Sequence, residues 1–239
     1  MNILVFDIWS DYGHFKKIYT TTSPLTYDII PKTSIYGFLG AMLGFSRDEY
    51  LKYLNGNTTK IALRILNPIK KTYFGLNLIN TKGNYFIPIK KKGHEPRTQI
   101  RFELLKNPKY RLYVNISDSK IYNNLKKLLK EHKTIYTPYL GLSELIANFK
   151  FIGEFETVME KSDDFIEINS VVRRDYIENI DFNFEREYRF EKIPNDINEK
   201  RITTEYVDVF YEKNGYSIKC KLREEYWKVL ELDENIVFI

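Results

Sequence analysis

"PKTSIYGFLGAMLG" (31–44) is the stretch from which the fold is read. An apolar run at helical spacing follows a proline, a lysine and two hydroxyl residues, so a helix is expected from Ser34 to about Phe45. Its glycines are unusual, because each costs about 1 kcal/mol relative to alanine in a helix interior. Gly37, Gly40 and Gly44 recur at three- and four-residue spacing and so share one side. A helix this slim lies close against a sheet or against bound backbone. At its start, Lys32, Thr33 and Ser34 coincide with unpaired backbone N–H groups and the positive end of the helix dipole, which suits a phosphate. Equally, Ser34 only caps the helix and the glycines only permit tight packing. The residues alone leave both readings open.

Outward from this helix, "NILVFDIW" (2–9) reads as a buried first strand. "RDEYLKYL" (47–54) is a second helical piece. "KIALRILNP" (60–68) and "KTYFGLNLIN" (71–80) read as two strands joined by a short turn at Pro68. Residues 81–108 form a basic, proline-punctuated insertion, and "KYRLYVNI" (109–116) is the next strand. "SKIYNNLKKLLKEH" (119–132) has Asp118 or Ser119 as N-cap and carries Ile121, Leu125, Leu128 and Leu129 on one face. The order β-α-β-β-(insert)-β-α resembles the split βαβ plan. The expected class is α+β: a ferredoxin-like (RRM-like) βαββαβ domain over 1–145, with a long basic β-hairpin thumb inserted at about 81–108. A smaller β-rich region over 146–239 follows, with strands expected at 150–158, 165–172, 203–211, 216–222 and 234–239.

The charge is split. Residues 1–135 hold 23 Lys+Arg against 9 Asp+Glu, net +14; residues 136–239 hold 14 against 23, net −9. A basic half joined to an acidic half points to a polyanion on one side. Cys220 is the one cysteine and has no internal partner, so a reducing, cytoplasmic setting is expected. Asp7 interrupts the first apolar stretch, so no secretory signal is expected, and no apolar run approaches the ~18 residues of a membrane span.

"DYGHFKKIYTTTS" (11–23) mixes two lysines, a histidine, three aromatics and four hydroxyl residues. Single-stranded RNA calls for that mixture: cations for phosphates, rings for bases, hydroxyls for 2′-OH groups. Tyr12, His14, Lys16, Lys17, Tyr19, Thr21, Thr22 and Ser23 are the candidates here. "IKKKGHEPRTQIRFELLKNPKYR" (89–111) holds eight basic residues and two acidic ones. Lys90, Lys91, Lys92, Arg97, Gln99 and Arg101 are its candidates for RNA contact, beside Lys32, Thr33 and Ser34. Gly141 in "PYLGLSE" permits either a close backbone approach or a plain turn. The basic-Gly-aromatic-Gly signature of RRM proteins is not evident on the central strands, so binding by loops and hairpin is expected rather than stacking across an open sheet.

"FDIWSDYGHFKKIYTTTSPLTYDIIPKTSIYGFLGAMLG" (6–44), "RTQIRFELLKNPKYRLYV" (97–114) and "TPYLGLSE" (137–144) together resemble the CRISPR-associated family 5 proteins, in particular the type I-B branch. The resemblance spans roughly residues 1–145. It implies a non-catalytic subunit of the Cascade surveillance complex that holds the 5′ handle of the CRISPR RNA and caps the row of backbone subunits. The implied partners are CRISPR RNA, the backbone subunit and the large subunit. Target DNA is met only within the complex, and no membrane or cofactor is involved.

The alternative is a metal-independent endoribonuclease, since one branch of the family cuts precursor RNA. Such cleavage needs a base, an acid and a cation for the charged transition state. His14, His94 and His132 lie in separate segments, and only Lys92 and His94 are near neighbours. Where the cutting branch has a tyrosine on the first helix, this chain has an apolar residue near Leu43, and Tyr36 stands on the wrong turn. No acidic cluster has metal-ligand spacing. No catalytic and no metal-binding residue is therefore expected.

Overall fold

Alternation along Asn2–Trp9 (β1) sends Leu4, Phe6 and Ile8 to one face of the strand and Ile3, Val5 and Asp7 to the other. The protein, seen in a computed structural model that describes residues 1–81, 89–90, 92–93 and 95–239, is built around this strand. β1 pairs antiparallel with Lys109–Ile116 (β6) on one side and with Asn148–Glu160 (β7) on the other. Thr59–Ile65 (β3) pairs antiparallel with β6. Tyr226–Val229 (β14) and Glu234–Ile236 (β15) extend the far edge, so the six-stranded sheet runs β15-β14-β7-β1-β6-β3. Helix Lys32–Leu43 (α1) lies between β1 and β3 in the chain, and helix Ser119–Lys130 (α3) between β6 and β7. The short helix Tyr50–Tyr53 (α2) sits against α1.

Leu4, Phe6 and Ile8 join Ile35, Leu39 and Met42 of α1 and Leu125 and Leu129 of α3 in the main core. Each such side chain contributes about 1.5–3 kcal/mol by leaving water. The same core takes Ile193 from Tyr188–Ile197 (β11), and Val207, Val209 and Tyr211 from Thr203–Glu212 (β12). Residues on both sides of position 145 therefore build one sheet and one core. The opposite face of the sheet is not open. Ile3, Val5, Ala62 and Tyr113 are buried there under Trp227, Leu232 and Phe238. Arg111 reaches Asp7 at 2.8 Å and Glu234 at 3.1 Å on that face, and Tyr113 donates its hydroxyl to Glu234.

Three differences from the sequence reading have local causes. α1 begins at Lys32 rather than Ser34, because the N–H groups of Ser34 and Ile35 already close on the Pro31 carbonyl at 2.9 and 3.1 Å. Pro31 is its N-cap, and Ser34 makes no cap bond. Lys71–Ile79 (β4) does not pair with β3. It pairs along its whole length with Arg97–Lys106 (β5), so the paired strands of the hairpin begin at Lys71, not near residue 81. Exposed β4 residues explain this: Phe74, Leu78 and Ile79 are 40%, 40% and 47% accessible, which a strand of the core sheet would not be. Tyr12–Gly13 (β2) joins the other side of β5. Finally, β11 carries Pro194 and is a strand all the same, because it sits at a sheet edge and pairs only with β12.

The remaining strands are Ile166–Ile168 (β8), Val172–Arg173 (β9), Ile177–Ile180 (β10) and Ile218–Leu222 (β13). They form two small sheets, β10-β13-β8 and β11-β12-β9, over a second cluster that includes Val172, Phe210 and the free thiol of Cys220. Burial pushes that thiol up to about 12. No helix among the described residues is long and apolar enough to cross a membrane.

Candidate nucleic-acid interface

Period-two alternation puts Arg97, Gln99 and Arg101 of β5 on one face of the hairpin, and all three are exposed. Across the ladder they meet Ile79, Asn77 and Gly75. Gly75 has no side chain, which leaves room for Gln99, and the Arg101 guanidinium lies 4.3 Å over the ring of Tyr73. The row ends at Glu103, where the hairpin meets the body. Lys90 and Lys92 are exposed nearer the tip, and Lys90 pairs with Glu95 at 3.0 Å in open solvent, a contact of little energetic weight. Lys91 and His94 lie outside the described residues.

The hairpin base is fastened to the 11–28 segment. Tyr12 meets Phe74 edge-on at 5.1 Å, and the Thr26 N–H donates to Glu103 at 3.0 Å. Lys71 bridges Asp28 at 2.6 Å and Glu103 at 3.2 Å. Asp28 also accepts from Arg189 at 2.9 Å and Tyr211 at 3.0 Å. Burial pushes the Asp28 carboxyl up, but Lys71, Arg189 and Tyr211 together outweigh it and hold it below the ordinary carboxylate range. Glu191 goes the other way: burial raises it, although Lys17 is only 2.6 Å away.

Several sequence candidates are consumed by this framework. Lys17 is spent on Glu191, with the Tyr27 ring beneath its ammonium. His14 is buried; its Nδ1 contacts the Glu103 carbonyl at 2.8 Å, its ring packs on Phe102, and burial holds it below its usual range. Lys32 is buried too, and its ammonium donates to the Ile239 carbonyl; burial lowers it. It does not stand free at the start of α1. Lys16, Tyr19, Thr21, Thr22 and Ser23 are exposed on the loop.

Thr33 and Ser34 line a groove of about 820 Å³ together with Gly37, Arg47, Thr137 and Arg201. The three glycines of α1 have three different reasons. A Cβ on Gly37 would meet nothing, so this position keeps the groove wall flat. A Cβ on Gly40 would come within 2.9 Å of the Tyr50 side chain, so here tight packing is the cause. Gly44 is the C-cap beyond the helix, at φ 80°. Gly141, at φ 98°, also borders the groove, and a Cβ there would stand 1.7 Å from the His14 carbonyl oxygen. Of the two readings of Gly141, close approach is the one observed.

Arg47 and Arg201 were not singled out from sequence. They lie 154 residues apart, and Arg201 donates to the Arg47 carbonyl at 3.4 Å while facing the Tyr50 ring. Nothing local in either segment announces the meeting. Tyr136 and Tyr139, half-exposed on the loop before Gly141, complete the groove's rim.

A basic hairpin is thus fastened to an α+β body that also carries a groove lined by hydroxyl residues and arginines. The chain belongs to a CRISPR-associated family: the model for CRISPR-associated protein (Cas_Cas5) matches residues 3–206. Among solved structures, a CRISPR protein from Archaeoglobus fulgidus is similar in fold. Its TM-score is 0.57 at 14% identity, with 100% of this chain and 99% of that one covered. A chain of a CRISPR RNA-guided surveillance complex scores 0.48 at 9% identity, covering 93% and 90%. A chain of a Type III-B Cmr-beta complex bound to cognate target RNA scores 0.45 at 13%, covering 92% and 86%. No curated protein matches the sequence.

Proposed function

We propose that the protein is a non-catalytic CRISPR RNA-binding subunit of a type I Cascade complex, of the type I-B kind, which holds the 5′ repeat-derived handle and caps the backbone-subunit row. The exposed Arg97–Gln99–Arg101 row carries this reading. It offers cations and an amide at alternate positions on a hairpin whose base is fixed by ion pairs, which suits the phosphates of a single strand. Support for a ferredoxin-like (RRM-like) βαββαβ core comes from the order β7-β1-β6-β3, with α1 and α3 as the two crossovers. The covered outer face of the sheet favours binding by hairpin and groove over stacking across the sheet. The non-catalytic reading draws on His14 and Tyr36, both buried, and on His132, which is stacked on Phe149 in a different part of the fold.

Fluorescence anisotropy of repeat-derived RNA over a salt series tests the proposal. Affinity should fall steeply with salt, with a slope of about −0.7 per phosphate contacted. Salt-independent affinity, or equal affinity in the R97A/R101A variant, would sink it.

A further inference from the structure

The aromatic side chains of the acidic C-terminal region do not all go into its core. Phe182 and Phe190 are 53% and 54% exposed, yet neither is loose. Both rest on the fully buried ring of Phe210, Phe190 at 4.6 Å between centroids and Phe182 edge-on at 6.3 Å. The Arg174 guanidinium lies 5.4 Å over the Phe190 ring. Phe182, Phe190 and Arg174, with Arg223, line a cleft of about 400 Å³, within the roughly 300–1,000 Å³ of small-ligand sites.

Local charge in the cleft runs against that of the region. Its acids are spoken for: Asp175 pairs with Arg173 at 2.8 Å and Glu178 with Lys221 at 3.3 Å. Arg174 and Arg223 pair with no carboxylate among the described residues. Arg223 is held beside the 3-10 turn Arg174–Tyr176 by its own N–H, which donates to the Tyr176 carbonyl at 2.8 Å. The cleft thus joins two unneutralised guanidinium groups to pre-positioned π surfaces.

We propose that this cleft is a second single-strand nucleic-acid contact, separate from the hairpin, which takes one nucleotide with its base against Phe182 and the Arg174-topped Phe190 and its phosphate between Arg174 and Arg223. A nucleotide presents a flat π surface and an anion together, and arginine planes and aromatic rings both serve as stacking partners. A phosphopeptide presents the anion without the obligatory flat surface. The acidic surroundings, net −9 over 136–239, repel a long phosphate backbone and limit the contact to a short stretch.

The test uses the full chain carrying R97A/R101A, so that the hairpin contributes little. A 5′-phosphorylated tetranucleotide with 4-thiouridine at one position is photo-crosslinked, and the same sequence with 2-aminopurine is titrated by fluorescence. We expect crosslinks within residues 174–190 and aminopurine quenching. R174Q/R223Q should weaken binding about tenfold or more, and F190L should reduce quenching more than it reduces phosphate-dependent affinity. R174Q/R223Q changes exposed side chains only, so its folding is checked by circular dichroism and serves as the arm that does not depend on ring packing. Crosslinks elsewhere, binding indifferent to R174Q/R223Q, or displacement by a phosphopeptide as effectively as by the tetranucleotide would overturn the proposal. The last outcome would reassign the cleft to a protein partner. Salt-dependent binding of long RNA by the unmodified hairpin is unaffected by any of these outcomes, so the two readings fail separately.

Discussion

Lys71 at the base of the hairpin holds Asp28 across a 2.6 Å ion pair, with 22% and 7% of the two side chains exposed. The same ammonium donates to the Thr26 carbonyl at 2.8 Å and meets Glu103. One side chain thereby fixes where the hairpin leaves the body. Lys71→Met should cost about 3–5 kcal/mol, since it leaves the largely buried Glu103 without its cation and Asp28 with Arg189 alone. Urea denaturation reads the loss. A change below about 1 kcal/mol would mean that Arg189 alone suffices for Asp28.

A pH effect follows from His14. Its folded pKa is below the ordinary 6.5 because burial disfavours the imidazolium, against smaller opposing contributions from Glu103. The unfolded chain therefore binds a proton that the folded chain does not. Stability is full above about pH 6.5 and falls as pH drops from there towards the folded value. The ring nitrogens, followed by NMR across a pH series, should titrate at a lower pH than a free imidazole. A midpoint at or above the ordinary value would contradict the buried placement.

Gly141→Ala should destabilise by about 3 kcal/mol or more. The new Cβ would fall 1.7 Å from the His14 carbonyl oxygen, and φ is 98°. Both overpacking and the positive φ contribute, each by roughly 1–3 kcal/mol. Gly37→Ala, facing open space in the groove, should by contrast leave the denaturation midpoint unchanged or slightly raised. Equal effects at the two positions would refute the assignment of separate reasons.

Alanine at Arg97 should weaken RNA binding while changing stability by no more than about 0.5 kcal/mol, because the side chain is exposed. Arg101→Ala should lose somewhat more stability, as it also removes the stack on Tyr73, worth about 0.5–1 kcal/mol. Thermal melts and anisotropy on the same samples separate the two effects.

Purified protein should leave repeat RNA uncut at neutral pH, with or without EDTA. Burial holds the Tyr36 hydroxyl far above its usual range, and His14 is buried with its Nδ1 on the Glu103 carbonyl. Cleavage at one defined phosphodiester, abolished by His94→Ala, would restore the ribonuclease alternative.

The sequence by itself determined the elements whose signals are local. β1 and β6 have the bounds read from their apolar runs, and α3 starts where Asp118 accepts from the N–H groups of Lys120 and Ile121. A period of two or 3.6, or a side chain two or three residues from its partner, is written in neighbouring positions. The basic hairpin was legible as charge, because eight cations against two acids need no structure to count. Only the tertiary structure decided which cations are available. Lys17 and Lys32 look as free in the chain as Lys16, yet Glu191 and the Ile239 carbonyl take them. It also decided that β4 pairs with β5 rather than β3, and that Arg47 meets Arg201. The physical reason is the same each time. Pairing of an ion or a strand depends on distances across the folded chain, 174 residues for Lys17 and Glu191, and hydrophobic periodicity carries no record of them.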